Sequence, residues 1–309
     1  MFSVVFPGQG SQAIGMGKEF YQKYDLVKDY FKEADESLNF NLSDLILNGP
    51  KSDLDLTENT QPAIFLISYS IFNVIKKEFG IDLNKGKYFA GHSLGEYSAL
   101  ACAKYLNFSD TIKILKQRGA AMQNAVPKGL GGMLAILGSS TENVENLLQE
   151  NNSRLNAQIA NDNSDGQIVV SGKVEDLDIF GELLKSKNIK NIKLPVSAPF
   201  HCNLMHKATE SMKDKINNLS ISNGLNNFIS NVTAKETNDP GEIKDLLIKQ
   251  IENRVRWRES VQNMITGGVD QFIEIGPGKV LSGLIKRINK DVKFISINSE
   301  VDIKNINAL

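Results

Sequence analysis

The chain has 309 residues, of which 41% are hydrophobic, and its formal net charge is -1 at pH 7. A chain of this length can bury a large core, and we expect one large domain with a smaller one inserted or appended. Because the lysines are dispersed among acidic residues, the charge pattern gives no indication of nucleic-acid binding.

The first residues lack the positive segment and the long apolar run of a signal peptide, and no stretch reaches membrane-spanning length. We therefore expect no membrane association and a cytoplasmic location, or an organelle stroma if a transit peptide has been removed. Cys102 and Cys202 lack the number and spacing of metal ligands. Since a single disulfide is uncommon in a cytosolic chain, both are interpreted as free thiols.

The predicted elements of the first hundred residues alternate between strands and helices. Residues 2–6 form a buried strand that ends at the glycine-rich segment 7–12. A long helix begins at Thr60, with Pro62 in its first turn and an apolar stripe along its length. A short apolar strand follows at 88–90, and this order predicts an α/β layered fold with parallel strands.

Residues 91–95 read Gly-His-Ser-Leu-Gly and connect that strand to a helix-compatible segment of small residues. A serine with a glycine two residues before and after it at a strand-to-helix junction is typical of a nucleophile elbow, which exposes the hydroxyl on a sharp turn. The helix start would also direct the N–H of Leu94 at an oxyanion formed on attack by Ser93. Such a pentapeptide also occurs by chance, so the hypothesis requires a base and a second oxyanion donor.

The glycine-rich segment after the first strand is a candidate for that second donor. Gly8 and Gly10 allow the backbone N–H of Gln9 to face a ligand, although an ordinary turn explains the same residues. A nucleotide-binding loop is disfavoured, because neither a Gly-Lys-Ser/Thr ending nor a full dinucleotide fingerprint is present.

The segment after the elbow carries a second predicted helix and then a series of shorter elements. Ser109 is predicted to cap a helix from Asp110 that includes Arg118, and a glycine-rich joint follows at 127–132. Residues 161–166 are predicted as a turn on composition alone. The strands beyond the joint are predicted at 133–137, 155–160, 167–171 and 189–194, and the helices at 141–151 and 174–187.

The resulting order, β-α-β-β-α-β, is the ferredoxin-like arrangement and predicts a compact subdomain. We place this subdomain at 128–195 and assign 1–127 and 196–309 to the large α/β domain. Strands are further predicted at 228–232, 270–275 and 292–297, and helices after Asp239-Pro240, around Trp257 and from Lys279.

Three histidines are available as the base. His92 adjoins Ser93, where neighbouring side chains diverge, and His206 lies in the middle of a predicted helix, where a surface or packing role is expected. His201 follows two prolines at a loop-to-helix entry, where a side chain can be held over a cleft, and is the favoured base. No acid can be assigned to orient His201, and a carbonyl oxygen could fix its tautomer instead.

The chain resembles the malonyl-CoA:acyl carrier protein transacylases of bacterial type II fatty acid synthesis essentially from end to end. The resemblance depends on segments that occur in the family's order and spacing, namely residues 6–12, 91–97, 117–119, 161–164, 166–167, 198–201, 247–250 and 276–281. It implies a large α/β hydrolase-like domain with a parallel sheet, an inserted ferredoxin-like (βαββαβ) subdomain and an active site in the cleft between them.

The resemblance also implies the catalytic roles of five residues. Ser93 is similar in position to the family's nucleophile and His201 to its base. Gln250 would orient His201 through its main-chain carbonyl, in place of the acidic residue that could not be assigned from the sequence. The backbone N–H groups of Gln9 and Leu94 would form the oxyanion hole.

Four further residues match the family's substrate-binding positions. Arg118 would pair with the free carboxylate of the malonyl group, for which the planar guanidinium offers two parallel donors. Met122 and His92 match the lining of the carboxylate side. Phe200, directly before the base, matches a position where a bulky residue accompanies malonyl rather than methylmalonyl groups.

The implied reaction consists of two acyl transfers with ping-pong kinetics. Malonyl-CoA would acylate Ser93, and the phosphopantetheine thiol of acyl carrier protein would then accept the malonyl group for fatty acid elongation. No metal or other cofactor is implied, since CoA enters as part of the substrate. We expect a monomer without a nucleic-acid partner. Candidates to meet an acidic carrier protein are Lys113, Lys116, Lys286 and Arg287.

Three alternatives stay open at this point. An acyltransferase of a polyketide assembly line would use the same residues, although the chain ends soon after its last predicted strand, which favours a free-standing enzyme. A thioesterase or esterase would have no use for Arg118. A non-catalytic module that binds carrier protein would need neither Ser93 nor His201.

Overall fold

A computed structural model describes residues 1–196 and 198–308. Over these residues the polypeptide forms ten strands and fourteen α-helices. Ser197, in the predicted extended return to the large domain, and Leu309 lie outside the described residues. The strands are β1 (Phe2–Phe6), β2 (Tyr88–Gly91), β3 (Gly131–Leu137), β4 (Ala157–Ser164), β5 (Gln167–Lys173), β6 (Lys190–Lys193), β7 (Asn227–Ile229), β8 (Glu236–Thr237), β9 (Gln271–Ile275) and β10 (Lys293–Ile297). The helices are α1 (Lys18–Lys23), α2 (Asp25–Leu38), α3 (Leu42–Asn48), α4 (Lys51–Leu54), α5 (Thr57–Glu78), α6 (Gly95–Cys102), α7 (Phe108–Asn124), α8 (Thr141–Glu150), α9 (Val174–Ser186), α10 (His206–Asn217), α11 (Pro240–Gln250), α12 (Trp257–Thr266), α13 (Val280–Ile288) and α14 (Glu300–Ile303).

Six strands form the larger sheet in the order β10-β9-β1-β2-β7-β8. Its first five strands are parallel, and the short edge strand β8 pairs antiparallel with β7. Helices cover both faces of β1, so Val4 and Phe6 pack into the core with α5 and α7, whereas Val5 packs into the core with α12 and α13. Because the strands are parallel, the loops after β1, β2 and β7 meet at one edge of the sheet.

Four antiparallel strands form the smaller sheet in the order β4-β5-β3-β6. Helices α8 and α9 bury their apolar side chains, such as Val144 and Phe180, against its strands. This strand order and the two helices confirm the predicted α/β class with a ferredoxin-like subdomain. The sheet runs from residue 131 to residue 193, and the domain boundaries at 127/128 and 195/196 stay a prediction.

The predicted turn at 161–166 is wrong over its first four residues. Strand β4 continues through Ser164, and the chain reverses only at Asp165 and Gly166, where Gly166 has a φ of +76°. Composition misled here because the polar side chains are buried. Asp162, for example, has no exposed surface and pairs with Arg258 of α12.

Two helix starts also differ from the prediction. Helix α5 begins at Thr57 rather than Thr60, so Pro62 lies in its second turn. Helix α7 begins at Phe108, and its cap is Asn107, whose Oδ1 accepts the N–H of Asp110 at 2.8 Å. Ser109 instead pairs its hydroxyl with the Ser37 hydroxyl. Serine and asparagine cap equally well, so the sequence did not determine the choice.

The region after α9 differs in smaller ways. Strand β7 ends at Ile229 rather than residue 232, because the chain turns at 230–234 and returns as β8, which was not predicted. His206 is the first residue of α10 rather than a residue in its middle. Among the described helices, none combines the length and apolar character needed to span a membrane.

Candidate active site

Ser93 follows β2 at the edge where the parallel strands end, and its backbone φ is +53°. The two flanking glycines make this turn possible. A Cβ atom on Gly91 would lie 2.0 Å from the carbonyl group of Gly95, and a Cβ atom on Gly95 would lie 2.3 Å from the oxygen of Phe6. A larger residue at Gly91 would push α6 away from β2, and one at Gly95 would push α6 away from β1, so the Gly-x-Ser-x-Gly spacing is a packing requirement.

The structure brings Ser93 and His201 together across 108 residues of sequence. The Ser93 Oγ atom lies 2.8 Å from Nε2 of His201, and Nδ1 of His201 lies 2.8 Å from the main-chain oxygen of Gln250. A carbonyl oxygen can only accept, so the proton lies on Nδ1 and Nε2 is free to accept from the serine hydroxyl. Burial lowers the pKa of His201 to about 3, and the nearby Arg118 cation also lowers it, so the imidazole is neutral.

The two residues expected to form the oxyanion hole both line the cleft beside Ser93. Gln9 lies in the loop after β1, and Leu94 directly precedes α6. Within the described part of the chain, the N–H groups of Gln9 and Leu94 donate to no protein acceptor. Both donors are therefore available to a ligand oxygen.

Arg118 projects from α7 into the interior and has no exposed surface. Its Nη1 donates to Oε1 of Gln61 at 2.7 Å, and its Nη2 donates to Oε1 of Gln250 at 2.7 Å. Nη2 also lies 3.3 Å from Ser93 Oγ. Burial lowers the pKa of the guanidinium, and its direct acceptors are two neutral amides and the neutral serine hydroxyl, so this buried cation favours an anionic ligand next to the serine.

Glu96 and Asn231 belong to the same network, and neither was selected from the sequence. The Asn231 Oδ1 atom accepts the Ser93 N–H at 2.8 Å, and Asn231 Nδ2 donates to the oxygen of Gly91 at 2.7 Å. Glu96 has no exposed surface and accepts from the Asn231 N–H and from Gln250 Nε2. Burial raises the pKa of Glu96 to about 8, an increase opposed by the Asn231 N–H, Arg118 and Gln250.

A positional signal for Asn231 was present in the sequence. This residue lies near the C-terminal end of the strand predicted at 228–232, and polar residues at that end of a parallel strand commonly face a ligand site. For Glu96, its position in the first turn after the candidate nucleophile was the available signal.

The remaining predicted residues lie around one cleft. His92 Nε2 lies 2.8 Å from Asn163 Oδ1, and burial lowers the pKa of His92. The Met122 sulfur lies 3.8 Å from Gln61 Nε2, which donates to it. Phe200 lines the wall of the cleft next to His201. His206 is exposed on α10 beside Glu252 and is not part of the site.

The cleft has a volume of about 510 Å³ and lies between the two sheets. The elbow and the loop after β1 form one wall, and residues of the smaller sheet, including Met133, Ala135 and Val169, form the other. The arrangement offers a serine with a neutral base, two free N–H donors and a buried cation. It can therefore support acyl transfer of a group that carries a negative charge.

Comparisons with known proteins agree with this chemistry. The model of the acyl transferase domain family matches residues 3–301. The chain is 43% identical over 302 residues to the malonyl CoA-acyl carrier protein transacylase of Bacillus subtilis, which covers 97% of this chain and 94% of that protein. The acyl-carrier-protein-S-malonyltransferase of Bartonella henselae has the same fold, with a TM-score of 0.96, 40% identity, and coverage of 99% of this chain and 98% of that one. A complex of a type II PKS acyl-carrier protein with its malonyl-transacylase matches with a TM-score of 0.94, 35% identity and 98% coverage of both chains.

Proposed function

The chain belongs to the family of malonyl-CoA:acyl carrier protein transacylases, and from that premise we propose that it transfers malonyl groups from malonyl-CoA to acyl carrier protein for fatty acid elongation. The observation that carries this proposal is the position of Ser93 Oγ, 2.8 Å from His201 Nε2 and 3.3 Å from Arg118 Nη2. A nucleophile, its base and a buried cation thus converge on one point.

In the first half-reaction, His201 Nε2 takes the Ser93 proton as the serine oxygen attacks the thioester carbonyl. The N–H groups of Gln9 and Leu94 stabilise the oxyanion, and the main-chain oxygen of Gln250 stabilises the imidazolium through Nδ1. Collapse of the intermediate breaks the C–S bond. The CoA sulfur leaves with the proton from His201, and a malonyl ester remains on Ser93.

The second half-reaction runs the same steps with a different thiol. His201 takes the proton of the phosphopantetheine thiol, whose sulfur attacks the malonyl-Ser93 ester. The Ser93 oxygen leaves and recovers its proton from His201. Both halves exchange only an acyl group and a proton, so the proposed reaction uses no cofactor.

Substrate choice follows from Arg118 in this proposal. Its guanidinium is buried and has no carboxylate in direct contact, so the malonyl carboxylate completes its charge balance, whereas an acetyl group leaves it uncompensated. Met122, His92 and Phe200 shape the space around the bound acyl group. The same requirement disfavours a general thioesterase or esterase.

The proposal extends to the enzyme's partners and setting. Acyl carrier protein is the acceptor, and the relatives compared above are bacterial, which supports action in the cytoplasm. All of the proposed catalytic groups belong to one chain, which supports a monomer. Of the basic residues proposed to meet the carrier, Lys113 is exposed on α7 and Lys286 and Arg287 are exposed on α13, whereas Lys116 is partly buried beside Asn59.

Intact-protein mass spectrometry after mixing with malonyl-CoA or acetyl-CoA tests the proposal. We expect a malonyl adduct on the wild-type enzyme, none on Ser93→Ala, and a weak one on Arg118→Ala, with little acetyl adduct on the wild type. His206→Ala, a histidine outside the site, is the matched control and should acylate normally. The adduct should then pass to phosphopantetheine-bearing carrier protein but not to the unmodified carrier. Absence of any adduct on the wild type would refute the proposed function.

A further inference from the structure

Glu96 lies one turn after Ser93 and takes no part in the bond-making steps proposed above. Both of its carboxylate oxygens accept hydrogen bonds, Oε1 from the Asn231 N–H and Oε2 from Gln250 Nε2. These partners lie after β7 and at the end of α11. A single buried carboxylate therefore joins the first turn of α6 to two distant segments.

The two partners of Glu96 hold the peptide groups on both sides of the nucleophile. Asn231 Oδ1 accepts the Ser93 N–H at 2.8 Å, and Gln250 Nε2 donates to the Ser93 carbonyl at 2.9 Å. Ser93 needs such support because its φ of +53° is unfavourable for a residue other than glycine. The conformation that exposes the hydroxyl therefore depends on two amides that Glu96 contacts directly.

The amide of Gln250 has only one orientation that satisfies its neighbours. A guanidinium only donates, so Oε1 must face Arg118, at 2.7 Å from Nη2. An ionised carboxylate only accepts, so Nε2 must face Glu96. If the amide were reversed, its NH₂ group would oppose the guanidinium and its oxygen would oppose the carboxylate.

We propose that Glu96 is a positioning residue that holds Gln250 and Asn231 so that Ser93 keeps its reactive backbone and Arg118 keeps its place beside the serine hydroxyl. This inference depends on the proposed function, since the positions of Ser93 and Arg118 affect the rate only if these residues carry out the proposed reaction. The effect passes through two amides, and Glu96 itself touches neither substrate nor reacting atoms.

The ionised form of Glu96 is the one that accepts at both oxygens. Burial raises its pKa to about 8, so the carboxylate predominates at pH 8.5 and the acid at pH 7. Arg118 of α7 and Tyr97 of α6 are the charged or titratable groups near it, and burial raises the pKa of Tyr97 to about 12. The pKa of His201 is about 3 and that of His92 is lowered, so neither histidine titrates between pH 7 and 8.5.

The test is the single-turnover rate of Ser93 malonylation in Glu96→Gln at pH 8.5. The substitution keeps the shape but places an NH₂ group against either the Asn231 N–H or the Gln250 NH₂. Glu274→Gln is the matched control. Glu274 is as buried as Glu96, and its carboxylate accepts hydrogen bonds from the N–H groups of Leu281 and Ser282 at the start of α13. Glu274→Gln therefore makes the same change in charge at a helix N-terminus instead of beside Ser93.

We expect malonylation to be slowed by about 10- to 100-fold in Glu96→Gln, as for small misplacements of reacting groups, and by less than about threefold in Glu274→Gln. In a Gln250→Ala, Asn231→Ala background, adding Glu96→Gln should slow the rate by less than about threefold, because its partners are gone. Equal slowing in Glu96→Gln and Glu274→Gln, or a full effect of Glu96→Gln in that background, would overturn the proposal.

The wild-type enzyme provides a measurement that is independent of how the variants fold. Its malonylation rate should rise several-fold from pH 7 to 8.5, and the Glu96→Gln rate should not. A flat wild-type profile would contradict the inference. If the wild type forms no malonyl ester, the proposed function fails; if the wild type reacts and Glu96→Gln matches it, only the role of Glu96 fails.

Discussion

Individual side chains in this site act through the environment that burial gives them. Arg118 and His201 are both enclosed, and burial lowers the pKa of each. The lowered pKa keeps the His201 imidazole neutral, as the proposed base requires, whereas Arg118 stays a cation because a guanidinium is not deprotonated in proteins, and it has no direct counter-ion. Desolvation is the first cause in both cases. Two predictions follow from these two side chains.

Replacing Arg118 with lysine should lower kcat/KM for malonyl-CoA by roughly 10- to 100-fold, although the charge is kept. Lysine is a point charge and cannot offer two parallel donors to a carboxylate while keeping the contacts to Gln61 and Gln250. Steady-state assays with malonyl-CoA and acetyl-CoA measure the effect, and the acetyl rate should change much less. An equal loss for both thioesters would point to misfolding of the site rather than lost recognition.

The folded-state pKa of His201, about 3, lies below the value of about 6.5 for an unperturbed histidine. Between these values the unfolded chain binds more protons than the folded one, so acid removes stability. Between pH 7 and pH 5, the free energy of unfolding of the wild type should fall by about 2 kcal/mol more than that of His201→Gln. Urea titrations at both pH values measure this difference. The exposed His206→Gln is the control, and a wild-type-like pH dependence in His201→Gln would contradict the prediction.

At the scale of elements, the site depends on how closely three backbone segments approach. Strand β1, strand β2 and helix α6 meet at Gly91 and Gly95, and the elbow exists because neither residue has a side chain. The need for glycine at these two positions does not come from the local preference for a helix. At Gly95 the requirement comes from contact with Phe6, almost ninety residues earlier in the chain, and at Gly91 it comes from contact with the backbone of Gly95 and Glu96.

Gly95→Ala should therefore destabilise the protein by more than about 2 kcal/mol, because its Cβ would lie 2.3 Å from the Phe6 oxygen. Gly283→Ala in α13 is the matched control. A Cβ there meets nothing within 4 Å, and alanine in a helix should add about 0.5–1 kcal/mol of stability. Urea denaturation of both variants decides the point, and a stable Gly95→Ala protein would show that the elbow tolerates a wider approach.

For the whole molecule, the central question is what holds the smaller sheet against the larger domain. Strand β4 pairs with the chain before α12, where the Asp162 N–H donates to the Val255 oxygen at 2.9 Å and the Val255 N–H donates to the Ala160 oxygen at 2.8 Å. Next to this bridge, the fully buried Asp162 carboxylate accepts from Arg258 at 2.8–3.2 Å. These contacts join the smaller sheet to the segment before α12 and to α12 itself.

Arg258→Met should reduce the free energy of unfolding by about 3 kcal/mol, because it leaves the buried Asp162 carboxylate without its partner. Adding Asp162→Asn should recover part of this loss. Arg256→Met is the control: Arg256 pairs with Glu259 at the surface, where a pair contributes at most about 1 kcal/mol. Equal losses in the two arginine variants would show that the contact does not hold the domains together.

The sequence alone predicted the features that depend on local rules. The α/β class, the ferredoxin-like insert and most element positions follow from hydrophobic periodicity and from glycine and proline placement, which act over a few residues. The elbow around Ser93 was found because a tight turn needs glycines at fixed spacing. The same local rules failed at Asn161–Ser164, where polar residues form a buried strand, and at the start of α7, where Asn107 and Ser109 are residue types that cap equally well.

Only the tertiary structure decided which distant groups meet. The roles of Gln250 and Arg118 entered through resemblance, since nothing near His201 in sequence indicated that a main-chain oxygen 49 residues later would contact it. Asn231 and Glu96 were overlooked because their importance depends on hydrogen bonds that close loops of 138 and 135 residues. The charge states of His201 and Glu96 could not be predicted from the sequence either. Their pKa shifts come from burial, which exists only once the chain has packed around them.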